Sequence, residues 1–164
     1  MDYDSLPRMS DERTTLVAFL EWQRSVLERK CEGLSDDQLS EQSAPPSNLS
    51  LLGLVRHMTN VERGWFRRTV GGETVDDAYE RSNDSDFEDA RTDTGAAALK
   101  AWRDECERSR EILATRSLDF TGHHRSGVDV SLRWVLVHMI DEYSRHNGHA
   151  DLIRERIDGS TGYE

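Results

Sequence analysis

Residues 132–157 read LRWVLVHMIDEYSRHNGHADLIRERI and contain no proline. Side chains suited to a helix–helix contact recur here at alternating steps of four and three: Leu132, Leu136, Met139, Tyr143, His146, Ala150, Ile153 and Ile157. This spacing predicts a long helix that presents one continuous stripe to its neighbours, as in a helix bundle. Asp158-Gly159 supplies a stop, so we expect this helix over residues 131–157.

Three earlier segments show the same periodicity. We expect helices over about 11–33, 49–70 and 94–116, whereas Pro45-Pro46 forbids helix between the first two. No stretch alternates convincingly with period two, although 128–130 could form a short extended piece. The acidic residues 73–93 are expected to form a long surface excursion. The fold class is therefore all-α, a four-helix bundle that forms a single domain over residues 1–164.

The charge balance excludes some classes of partner. The chain has 164 residues, with 32 Asp and Glu against 21 Lys and Arg, which gives a formal net charge of −11. This balance argues against non-specific binding to nucleic acid, and no run approaches the roughly 18 apolar residues of a membrane span. Without a basic leader or an apolar segment at the start, we expect a cytoplasmic protein. The two cysteines, Cys31 and Cys106, are expected in the core.

Two histidines fall where apolar residues are expected. His57 lies on the stripe of the second helix and His146 on that of the fourth, and a buried imidazole needs partners for its ring nitrogens. Glu142 precedes His146 by four residues, so their side chains lie on one helix face, about 6 Å apart along the axis. Together these residues would offer two imidazoles and a carboxylate. That donor set suits zinc or another first-row divalent ion and leaves coordination positions open.

The spacing alone leaves the ligand pair on the fourth helix open. His138, Glu142 and His146 form a row at steps of four that spans about 12 Å, which is too long for one ion. Either His138 with Glu142, or Glu142 with His146, would therefore join His57. Alternatively, Glu142 forms an exposed ion pair with an arginine such as Arg145.

Other residues are candidates for an outer layer of the same site. His149 follows His146 by three residues, and Gln23 interrupts the apolar stripe of the first helix, so either could orient the ligands. His123 and His124 are expected in a solvated loop. The tryptophans could line a pocket, but aromatic residues on bundle stripes favour the core: Trp22, Trp65, Trp102 and Trp134.

Two segments carry a resemblance to a known family. LLGLVRHMTNVERGWF at 51–66 and EYSRHNGHAD at 142–151 resemble the DinB/YfiT-like superfamily, and more narrowly an actinobacterial DinB-like subfamily. The resemblance covers about 11–159. It implies a bundle with up-down-down-up topology, a bound divalent metal and often a homodimer.

The resemblance also bears on the choice between ligand pairs. Many members bind metal with one histidine of the second helix and an H-x-x-x-H pair of the fourth, just before a short turn motif. Placing residues 147–149 on that motif puts Glu142 and His146 at the pair, so the chain departs from the three-histidine form. It is similar instead to the mycothiol-dependent maleylpyruvate isomerase branch, which has an E-x-x-x-H pair. His138 then becomes a candidate outer residue.

The function expected from the resemblance is a thiol S-transferase. Such an enzyme joins a low-molecular-weight thiol, with mycothiol as the expected co-substrate, to a small electrophile. Zinc is the expected ion, with nickel, iron and manganese as alternatives, and a thiol bound at its open position would lose its proton. The rival readings are a metal-stabilised binding or stress protein without turnover, and a metal-dependent hydrolase that activates water.

Overall fold

The computed structural model describes residues 2–79 and 94–162. Its helices are α1 (Glu12–Cys31), the short α2 (Asp36–Ser40), α3 (Leu51–Glu62), α4 (Gly95–Ala114) and α5 (Leu132–Asp158). A π-helical segment, Arg63–Val70, continues α3, and a two-stranded antiparallel sheet, β1 (Thr121–His123) with β2 (Asp129–Ser131), precedes α5. A single 3₁₀ turn, Tyr3–Ser5, precedes α1. The predicted all-α class is thus confirmed, with one small hairpin added.

Directly before each long helix stands a capping residue, whose side chain accepts a hydrogen bond from a backbone N–H of the first turn. The N–H groups of the first turn have no carbonyl partner within the helix, and the side chain of the capping residue supplies the missing acceptor for one of them. The capping residues are Asp11, Ser50, Thr94 and Ser131. The predicted starts at residues 11, 94 and 131 therefore agree with the structure, while the second helix begins slightly later than expected because Ser50 caps it.

The directions of the long helices follow from the contacts between them. α1 and α5 run parallel, whereas α4 runs opposite to α1 and α3 runs opposite to α5, which gives the up-down-down-up topology. The contacts are Glu12–Arg133 and Lys30–Asp151 between α1 and α5, Arg13–Arg116 and Glu28–Arg103 between α1 and α4, and His57–Glu142 and Trp65–His138 between α3 and α5.

The core lies between these four helices, and the predicted stripe of α5 faces it. Its buried members are Leu132, Leu136, Met139, Tyr143, Ala150 and Ile153. Cys31 and Cys106 are buried and free, as expected. The tryptophans divide between the two expectations: Trp22 and Trp102 are buried, whereas Trp134 is 48% exposed.

The chain after the π-helical segment folds back onto α3. Asn60 accepts hydrogen bonds from the backbone N–H groups of Ala78 and Tyr79 and donates to the carbonyl oxygen of Tyr79. Asp77 pairs with Arg68 at 2.6 Å. The surface segment predicted over residues 73–93 therefore begins as chain that packs on α3. Residues 80–93 lie outside the described part of the chain. In the described part, no helix is both long and apolar enough to cross a membrane.

Candidate metal centre

The change from α-helix to π-helix at Arg63 shapes the chain next to the site. In the wider turn, the Thr69 hydroxyl donates to the Gly64 carbonyl at 3.0 Å and the Gly71 N–H donates to the Phe66 carbonyl at 2.7 Å. Such turns are uncommon, and they occur often at functional sites. The hairpin packs against this segment at Gly122, where a Cβ atom would collide with the Thr69 carbonyl. The hairpin is therefore held close to the carboxyl end of the extended α3.

His57 on α3 meets Glu142 and His146 on α5. The Nε2 atoms of both histidines lie 3.4 Å from Glu142 Oε1, and the two ring centroids are 4.7 Å apart. The three ligating atoms all lie within 4.8 Å of one another. The side chains are 24%, 22% and 13% exposed in the order His57, Glu142, His146, so the cluster is largely enclosed yet reachable from solvent. Within residues 2–79 and 94–162, no other trio of such side chains converges in this way.

The electrostatics and spacing of this trio fit a divalent cation. Hydrogen bonds from His146 and then His57 hold the pKa of Glu142 well below its usual range, so the carboxylate is ionised at neutral pH. Each histidine Nε2 atom lies 3.4 Å from Glu142 Oε1, and these are the separations between the candidate ligand atoms. They are close to the roughly 3.3 Å that separates two ligands of one tetrahedral zinc ion when each bond is about 2.0–2.1 Å. The donor set of two nitrogens and one oxygen is also one that zinc accepts.

His138 lies one turn before Glu142 but stands apart from the trio. Its ring stacks on Trp134, with centroids 5.1 Å apart and planes at 8°, and its edge meets Trp65 at 4.6 Å. The spacing of the sequence left open which pair on α5 would meet His57. The structure brings Glu142 and His146 to His57 and places His138 in a neighbouring aromatic group.

His149 lies against the trio. Its ring meets that of His146 at a centroid distance of 5.4 Å, and the Nδ1 atoms of both rings are buried without a hydrogen-bond partner in the described chain. Burial, followed by the charge of His146 and then that of Arg145, lowers the pKa of His149. His149 therefore favours the neutral form and contacts His146 through its ring.

Gln23, a candidate for the outer layer of the site, makes its hydrogen bonds to other residues of α5. Its amide donates to the Ser144 hydroxyl and accepts from Asn147 Nδ2, the latter at 2.7 Å. These bonds connect α1 to α5 beside the site, and none of the described contacts joins Gln23 to the trio. Its polar place on the stripe of α1 is thus explained by helix packing.

A cavity of about 310 Å³ adjoins the trio. Besides His57 and Glu142, its walls are Val61, Gly64, Trp65, Arg68, Thr69, His124 and Arg125. This volume suits a small organic molecule. His123 is exposed, as expected, and pairs with Asp129, whereas His124 stacks on Trp65 at 4.7 Å with planes at 17°. His124 was expected in solvent, and the packing of the hairpin against the π-helical segment is the reason it lines the cavity instead.

A buried ion pair that was not predicted from the sequence joins Arg24 on α1 to Glu62 on α3. The two side chains are 1% and 0% exposed, and the guanidinium donates two bonds, of 2.8 and 2.6 Å, to the carboxylate. Tyr143 and Ser109 each donate a further bond of 2.7 Å to Glu62. A signal was available: Arg24 stands between Leu20 and Leu27, and Glu62 follows Met58 by four residues, so opposite charges occupy two apolar stripes.

The chain is an up-down-down-up bundle with a histidine on its second long helix and an E-x-x-x-H pair on its fourth, in agreement with the resemblance to the DinB/YfiT-like superfamily. The model of the family described as mycothiol-S-transferase matches residues 15–159. The chain belongs to the mycothiol-S-transferase family.

Two further comparisons concern fold and curated relatives. A conserved protein from Enterococcus faecalis, solved by crystallography, has a similar structure, with a TM-score of 0.63 over 93% of this chain and 100% of that chain. The two are 12% identical in sequence, so this likeness supports the fold alone. No curated protein matches the chain.

Proposed function

We propose that the protein is a metal-dependent thiol S-transferase that joins a low-molecular-weight thiol, with mycothiol as the co-substrate, to a small electrophile. One observation carries the proposal. In a chain of the mycothiol-S-transferase family, His57, Glu142 and His146 bring their ligating atoms within 4.8 Å of one another beside a cavity of about 310 Å³.

The Nε2 atoms of both histidines and the carboxylate of Glu142 would hold the ion, for which we propose zinc, with nickel, iron and manganese as alternatives. An unperturbed thiol has a pKa of about 8.5, so it is mostly protonated at neutral pH. When bound, the ion would lower that pKa and allow the thiol to ionise without a neighbouring base.

The residues of the chain supply charge balance, shape and orientation. Ionised Glu142 would cancel one of the two positive charges of a divalent ion, and the remaining positive charge would attract a thiolate. Arg68 is held in place by Asp77 at 2.6 Å and by the Val75 carbonyl at 3.3 Å, and its fixed position at the cavity wall can orient polar groups of a substrate. Trp65 contributes an aromatic wall to the cavity.

The transfer requires no oxidant or reductant. The sulfur donates an electron pair to the electrophilic carbon, and a carbon–sulfur bond forms. The leaving group departs with its bonding pair, and the proton lost by the thiol passes to solvent.

The first experiment tests the ligands by metal content and isothermal titration calorimetry. Replacing His57, Glu142 or His146 by Ala should abolish stoichiometric binding, because two remaining ligands rarely hold a divalent ion. His138→Ala is the matched control on the same helix, and it should bind metal within the roughly tenfold to hundredfold loss of an outer residue. Metal lost by His138→Ala and kept by His146→Ala would place the site one turn earlier. Equal binding by all variants would remove the site.

The second experiment tests the chemistry. Mycothiol added to protein substituted with Co²⁺ should produce a sulfur-to-cobalt charge-transfer band, and the parent should conjugate the thiol to an electrophile in a way that Glu142→Ala does not. Metal uptake with ester hydrolysis but no band would favour a hydrolase. Metal uptake with neither band nor turnover would favour a metal-stabilised binding protein.

A further inference from the structure

A second cavity, of about 480 Å³, lies beside the first. Its walls come from the π-helical segment, the hairpin and the start of α5: Trp65, His124, Ser126, Val128, Asp129, Val130, Ser131 and Trp134. Trp65 and His124 line both cavities, and their stacked rings form the shared wall. The two cavities therefore adjoin each other at this aromatic pair.

The two cavities differ in chemistry. The first contains the candidate ligands together with Arg68 and Arg125. The second has neither arginine nor lysine among its described walls, and Asp129, its one carboxylate, faces His123 at 2.5 Å. Its remaining walls are small hydroxyls, aliphatic side chains and aromatic rings, so its chemistry suits an uncharged, apolar occupant.

Exposed apolar side chains mark the second cavity as a binding surface. Val128 is 57% exposed and Trp134 is 48% exposed, yet both line a concave space. Exposed apolar surface in a concavity commonly belongs to a ligand site. The ring of Trp134 lies 5.3 Å from that of Trp65, and aromatic faces of this kind stack on flat rings.

We propose that the second cavity binds a flat, uncharged aromatic ring that a flexible linker joins to the reactive carbon of the electrophile, so that this carbon reaches the trio in the first cavity. This inference rests on the proposed function. A flat, uncharged occupant is favoured over an anionic one because no arginine or lysine of residues 2–79 and 94–162 lines this cavity. With N-(3-phenylpropyl)iodoacetamide, the carbon–sulfur bond forms at the methylene carbon that bears iodine, the carbon–iodine bond breaks, iodide leaves with the bonding pair, and the thiol proton passes to solvent. The linker is needed because Trp134 precedes Glu142 by eight residues, about 12 Å along α5.

The test uses the metal-loaded protein and 1,3-dinitrobenzene, a flat, uncharged ring that has no leaving group and cannot react. In equilibrium dialysis without thiol, Trp134→Ala should bind this probe about tenfold more weakly than the parent, the loss expected when one stacking partner is removed. Val128→Ser, on the hairpin, should also weaken binding. Val137→Ala is the matched control, because Val137 is 53% exposed on the same helix but does not line the cavity.

Kinetics provide the second readout. Trp134→Ala should raise KM for N-(3-phenylpropyl)iodoacetamide about tenfold and leave that for iodoacetamide unchanged, because iodoacetamide has the same reactive group but no ring to stack. If the parent protein conjugates no thiol, the proposed function fails, and the dialysis experiment still tests whether the second cavity binds the ring. Equal affinity of parent and Trp134→Ala, or equal losses in Trp134→Ala and Val137→Ala, would overturn it. So would a Trp134→Ala protein that turns from dimer to monomer with unchanged dialysis, since a second copy would then cover this face.

Discussion

Replacing Glu62 by Gln should cost the protein a large part of its stability. The substitution keeps the shape of the side chain but removes the charge that compensates Arg24, which is 1% exposed. It also turns an amide N–H₂ toward groups that now donate to the carboxylate: the guanidinium of Arg24 and the hydroxyls of Tyr143 and Ser109. Breaking a buried pair in this way costs about 3–5 kcal/mol, against a total of about 5–15 kcal/mol for a typical domain.

The assay is urea unfolding followed by circular dichroism. With a slope of about 2 kcal/mol per molar urea, the midpoint should fall by about 2 M, and the melting temperature by on the order of 10 °C. Glu107→Gln is the control, because Glu107 is 67% exposed and pairs with the exposed Arg110, so it should cost less than about 1 kcal/mol. Replacing Arg24 by Met together with Glu62 by Leu should recover most of the loss, since no charge remains buried. A loss below about 1 kcal/mol for Glu62→Gln would refute this account of the core.

Three smaller predictions use single positions. Gly148→Ala should raise the free energy of unfolding by about 0.5–1 kcal/mol, because Gly148 lies within α5 and an added Cβ would have open space. Gly122→Ala should lower it by about 1–3 kcal/mol and loosen the hairpin, since the new methyl group would meet the Thr69 carbonyl; urea unfolding measures both changes. The depressed pKa of Glu142 contributes stability that is complete above its ordinary value of 4.5 and is lost as pH falls through the lower folded value. In metal-free protein, the advantage of the parent over Glu142→Gln in urea midpoint should therefore shrink from about pH 5 to about pH 3, and a constant difference would contradict it.

The all-α architecture was predictable from the sequence because each long helix carries its own stripe and its own cap. The ligand pair on α5 was not predictable from spacing, because steps of four place His138, Glu142 and His146 on the same face. The position of His57 along the axis of α5 decides whether it meets His138 with Glu142 or Glu142 with His146. That position is set by how α3 packs against α5. The family resemblance favoured Glu142 with His146, which are the residues that the structure brings to His57, and their role as metal ligands stays a prediction.

The residues that line the first cavity could not be predicted from sequence periodicity, again because packing places them. His124 reaches Trp65 because the hairpin packs on a π-helical turn, and neither a π-turn nor the contact of Gly122 with Thr69 has a spacing signal. The buried pair is the opposite case. Arg24 and Glu62 stand on the predicted stripes of two different helices. Only a comparison of the two stripes shows that the two charges can neutralise each other.

The buried pair and the candidate site are connected through the same two helices. On the core side, the Tyr143 hydroxyl donates to Glu62 at 2.7 Å and ties α5 to α3. The neighbouring residue, Glu142, meets His57 of α3 on the cavity side at 3.4 Å. Because adjacent residues on a helix point about 100° apart, the bond at Tyr143 limits how far α5 can rotate and so fixes where Glu142 points. A stable charge in the core therefore helps to position a charge at the site. On this reasoning, Glu62→Gln should weaken metal binding even where the protein remains folded, whereas Glu107→Gln should leave it unchanged.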